Sequence, residues 1–139
     1  MDNPIVWFLL GIIVIGGGLA IAMGMSRRGG RGLNQDEFRS KWLGLNAIVS
    51  ADNPSSWQVS LMEADKLLDQ ALIASGASGN TLGERLKSSG HKFSKLDSVW
   101  GVHKLRNQIA HESNVRLTHS MTLKALAVFK QALKDLGAI

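Results

Sequence analysis

A chain of 139 residues holds one small domain and little beside it. With no cysteine, disulfides and thiolate metal sites are excluded. The formal net charge of +5 is unevenly spread: from Leu33 onward 13 Lys and Arg stand against 10 Asp and Glu, too mild a balance to argue for nucleic acid on charge alone.

Residues 4–25 (PIVWFLLGIIVIGGGLAIAMGM) carry no charge. As a helix they would extend roughly 33 Å, enough to cross the hydrocarbon core of a bilayer. A cleaved signal peptide competes, with Ala20-Ile-Ala22 as a cleavage site, but Met-Asp-Asn-Pro opens on an acid with no base and the apolar run is long for such a signal. Arg27, Arg28 and Arg31 follow the stretch, while only Asp2 precedes it. The positive-inside rule then places the N-terminus outside and the remainder in the cytoplasm. The expectation is a single-pass transmembrane anchor over residues 1–26, at the cell membrane with the lipid bilayer as partner. Gly16, Ala20 and Gly24 recur every fourth residue, a spacing that lets two membrane helices approach closely, although small residues are common in such helices anyway. Residues 27–33 form a basic Gly/Arg linker whose arginines suit anionic headgroups.

From residue 34 to 139 every long segment carries a helical apolar stripe, so the fold class is all-α. Asn34 caps a first helix, with Glu37 three residues on and Phe38, Trp42, Leu45 and Val49 on one stripe. After a turn at Ala51-Asp-Asn-Pro54, a second helix over residues 56–74 turns Trp57, Leu61, Ala64, Leu68 and Leu72 inward. Residues 75–79 break it, and Thr81 with Glu84 opens a short helix to Ser88. A polar-rich helix follows from Lys95 or Leu96 to about Glu112. A last one, capped by Thr118 or Ser120, repeats Leu126, Phe129, Leu133 and Leu136.

The polar-rich helix carries the chemistry. At roughly 100° per residue, Val99, Val102, Leu105 and Ile109 share one arc. Arg106 falls in the middle of it and His103 at its edge, while Asn107 and His111 continue a ladder from His103. A guanidinium and an imidazole on an apolar face need partners or water. A satisfied polar seam between helices meets that need as well as a functional site does. Glu63 and Asp65 are two apart on a helix, diverge, and are not an acid/base pair. His103 and His111 are two turns apart, too far for one metal ion, so no metal site and no cofactor are expected. His91 and His119 read as solvated.

Arg106-Asn107-x-x-x-His111 resembles the Arg-x4-His signature of the HEPN superfamily, the higher eukaryotes and prokaryotes nucleotide-binding domains. Residues 100–112 (WGVHKLRNQIAHE) are similar to that family's third helix and residues 62–69 (MEADKLLD) to its second, and the resemblance covers residues 33–139. It implies a small up-and-down helical bundle and, in many members, a metal-independent endoribonuclease acting on single-stranded RNA. Two copies of the motif meet across a homodimer to make one site. By the same resemblance His111 is acid or base, Arg106 a phosphate clamp, and Asn107 an orienting or phosphate-contacting amide. Asp65 or Glu63 pairs with Arg106, and His103 supports the site or sits satisfied at the core edge. Positions five apart on a helix point about 140° from one another, so His111 must reach the site from the last turn or across the dimer axis. The alternative is a catalytically silent dimerisation or protein-interaction module at the membrane face. A lipid- or nucleotide-binding adaptor has less support, because no phosphate-cradling loop is present.

Overall fold

The computed structural model describes residues 32–139. Among them lie five α-helices and no strand: α1 Gln35–Ala47, α2 Pro54–Ala74, α3 Leu82–Ser88, α4 Leu96–His111 and α5 His119–Asp135, with a 3-10 turn Gly90–Lys92 before α4. Every start but that of α4 is fixed by a short polar side chain. Asn34 accepts from the Glu37 amide, Thr81 from the Glu84 amide and Thr118 from the Met121 amide, each satisfying an N–H that the helix itself cannot. The second helix begins two residues before the stripe suggests, because Asn53 caps it and Pro54 needs no amide partner in the first turn. Its C-terminus is closed, two residues beyond Ala74, by Gly76, whose φ of 81° admits the left-handed turn in which the Ala77 amide reaches back to Leu72 O.

α2 is the hub, packing against all four other helices, and α5 lies along it and along α4. Leu61, Ala64, Leu68 and Leu72 of α2 meet Phe129 and Leu133 of α5 in a core closed by Phe38 and Trp42 of α1 and Val99 of α4. Trp57 is half-buried rather than core, its Nε1–H donating to Ser50 O at 2.7 Å.

The all-α expectation holds, but the architecture needs one correction. No helix among the described residues is long and apolar enough to cross a membrane. The longest, α2, is interrupted by Glu63, Asp65, Lys66 and Asp69, charges that cannot face lipid without large cost. The expected transmembrane stretch and its small-residue face Gly16, Ala20 and Gly24 lie outside the described residues. The transmembrane helix is withdrawn from the fold, and with it the single-pass cell-membrane localisation, N-terminus outside, that depended on it.

Candidate functional site

Four polar side chains close a circuit between α2 and α4. Asp65, buried on α2, accepts from His103 Nδ1–H at 2.8 Å through Oδ1. Its other oxygen lies 3.3 Å from Arg106 Nε. That nitrogen is sealed from solvent, yet the contact lacks hydrogen-bond geometry, so Nε–H is held by charge more than by direction. Arg106 Nη1 donates to Asn107 Oδ1 at 3.1 Å, and Asn107 Nδ2 meets His103 Nε2 at 3.3 Å. The helical spacing explains the assembly: His103 and Asn107 are four apart and stack on one face, while Arg106 enters the apolar arc next to α2.

The protons of the circuit are set by elimination. A guanidinium only donates, so Asn107 must turn its oxygen to Arg106 and its amide N–H to His103. Asp65 accepts from Nδ1–H, and Nε2 is therefore the acceptor. The Trp100 ring stands edge-on to this imidazole, centroids 6.2 Å apart.

Not every residue singled out in the sequence joins the circuit. Glu63 is exposed on the far side of Asp65 and lines a separate cleft with Lys41 and Lys66, so Asp65 is the acid that meets Arg106. His111, the last residue of α4, is exposed and makes no hydrogen bond or ion pair with a described residue. Among the described residues no three His or carboxylate groups converge as metal ligands.

A buried arginine escaped the sequence reading. Arg85 of α3 donates from Nε to Asp69 Oδ1 at 3.0 Å, from Nη2 to Asp69 Oδ2 at 3.5 Å and from Nη1 to Gly79 O at 2.7 Å. Asp69 follows Asp65 by one turn and so shares its face, the one signal that pointed there. All three nitrogens of Arg85 are engaged, and the side chain is 9% exposed. Arg106 differs. Its side chain is 28% exposed, and Nη2 bonds to nothing among the described residues and is not sealed from solvent. A separate cleft of about 300 Å³, which Arg106 does not line, lies at the end of α4 between Trp57, Gln58, Ile109 and Glu112 among others.

No protein-family model matches the chain, and no curated protein or solved structure gives a significant match.

Proposed function

We propose that the helical domain is a metal-independent endoribonuclease that cuts single-stranded RNA as a homodimer, as the HEPN resemblance implies. The observation that carries the reading is the state of Arg106: anchored by Asp65 at one side and Asn107 at another, with Nη2 left open at a solvent-accessible edge. A guanidinium so held is oriented before a phosphate arrives. The imidazole of His111 on the same helix, exposed and unpartnered among the described residues, supplies acid or base. RNA cleavage without metal needs both an acid and a base at one phosphorus. His103 and His111 are eight residues apart, about 12 Å along the helix, and do not flank one phosphate. A second copy of the chain contributes the second group.

The test is incubation of the full-length protein with single-stranded RNA in EDTA, followed by analysis of the new ends. Cleavage leaving 2′,3′-cyclic phosphates is expected. Arg106→Lys keeps a cation for Asp65 but loses the fork, and should lower the rate at least about 100-fold, as should His111→Ala. A dimer that leaves a panel of RNAs intact would overturn the reading.

A specific observation also favours a silent interaction module: the circuit closes within one chain and ties α2 to α4. On that reading no RNA is cut, and Arg106→Lys weakens the dimer or the fold instead.

A further inference from the structure

Every hydrogen bond of the α2–α4 circuit has a forced direction, and the circuit is electrically balanced: one carboxylate, one guanidinium, and an imidazole whose Nε2 accepts. A phosphodiester oxygen arriving at Arg106 brings one negative charge to this half-buried, already balanced group. If it takes Nη1, it also displaces Asn107 Oδ1. The freed amide is then held only by its bond to His103 Nε2.

We propose that the circuit is a proton-coupled phosphodiester site, in which anion binding at Arg106 is accompanied by uptake of one proton at His103 Nε2 through a half-turn of the Asn107 amide. The turn presents Asn107 Oδ1 to the new Nε2–H and Asn107 Nδ2 to the phosphate oxygen beside Arg106. The Asn107 amide and the His103 ring each keep an acceptor for every donor that the turn moves. Two negative groups, Asp65 and the phosphate, face two positive ones, Arg106 and His103, so the balance is restored. The proton comes from solvent, and no bond other than hydrogen bonds is made or broken.

The surroundings of His103 permit this. From α2 it meets Asp65, which stays hydrogen-bonded to Nδ1–H in both states. From α4 it meets the Asn107 amide and the Trp100 ring edge, with Arg106 behind the amide and Lys104 exposed to solvent. Asp69, the next acid on α2, is taken by Arg85 of α3. Among the described residues α1 and α5 bond no charged group to the ring.

The coupling rests on the reading of RNA as ligand but not on its cleavage, and the experiment separates the two. A short single-stranded oligodeoxythymidylate has the phosphodiester and lacks the 2′-OH, so it binds without being cut. Calorimetric titration of the full-length protein between pH 7 and 8.5, in buffers of different ionisation enthalpy, should show uptake of about one proton per site. Affinity should fall roughly tenfold per pH unit. His103→Gln keeps an amide at the ring's outer position without a titrating group, and should bind with no proton uptake. In the wild type, the ¹⁵N signals of the His103 ring should move from the Nδ1–H form to the doubly protonated form on adding the oligonucleotide, a result that needs no variant. Absence of binding, binding without uptake, an unchanged ring, or undiminished uptake in His103→Gln would each overturn the proposal. RNA cleavage without proton uptake would sink the coupling and leave the nuclease. Proton-linked binding of the oligonucleotide with RNA left intact would do the reverse.

Discussion

Asp65→Asn separates the two roles of the α2 carboxylate. The amide oxygen can still accept from His103 Nδ1–H, but an N–H now replaces Oδ2 at 3.3 Å from Arg106 Nε–H. Two donors face one another, and a guanidinium whose Nε is sealed from solvent loses its counter-charge. Removing one partner of a buried pair typically costs about 3–5 kcal/mol. The Arg106 side chain is 28% exposed and can swing its outer nitrogens to water, which lowers the cost. We expect about 2–3 kcal/mol. For a domain of this size that is a fall in melting temperature on the order of 10–20 °C. Urea unfolding of the full-length protein at pH 7, followed by far-ultraviolet circular dichroism, would read it as a lower midpoint at unchanged slope. Glu63→Gln is the internal reference: that carboxylate is exposed and has no partner among the described residues, so its loss should stay below about 0.5 kcal/mol. A loss below about 0.5 kcal/mol for Asp65→Asn, or equal losses for both variants, would refute the assignment of Asp65 as the anchor of Arg106.

In the core, Phe129→Ala empties a site that is 0% exposed between α2, α4 and α5 and should cost about 3–5 kcal/mol in the same assay. At the foot of α5, burial raises the Asp135 carboxyl, but hydrogen bonds from the Ser94 amide, the Ser94 hydroxyl and Gln131 outweigh it and hold the group below its ordinary value. A depressed folded value adds stability above the unfolded one and forfeits it as pH falls through the folded one. Asp135→Asn should therefore unfold at lower urea than wild type at pH 7, with the two midpoints converging as pH falls through the depressed folded value.

The helices were legible because each has an amphipathic stripe, a capping side chain or both: α4 has the stripe without the cap, α3 the cap with little stripe. Phe38, Trp42 and Leu45 are buried as the spacing requires, and so are Leu126, Phe129, Leu133 and Leu136. Part of the site was legible too: the polar residues of α4 on an apolar arc demanded partners. Which partner was not, because Glu63 and Asp65 differ only in facing opposite sides of α2, and the position of α4 decides between them. Arg85 was invisible for a related reason. A seven-residue helix has too little periodicity to announce a buried face, and half of its partners are the backbone of the 75–81 turn. The N-terminal apolar run shows the opposite limit. Hydropathy alone assigned a span, and no described helix shares that character.

Why one arginine is used up and the other left open follows from what else reaches the carboxylate. Asp65 and Asp69 stand one turn apart on α2 and present the same group to the helices beside them. At Asp69 no other side chain competes, so both oxygens go to Arg85, and Gly79 O takes its remaining nitrogen. At Asp65 the imidazole of His103 occupies Oδ1, leaving Arg106 a single oxygen at Nε. Two-point pairing is thereby denied to Arg106, and its outer nitrogens turn to Asn107 and to solvent. A histidine three residues before the arginine thus fixes its own tautomer and keeps the guanidinium from being consumed by the fold. An anion that approaches Arg106 finds it oriented, half-exposed and still short of an acceptor.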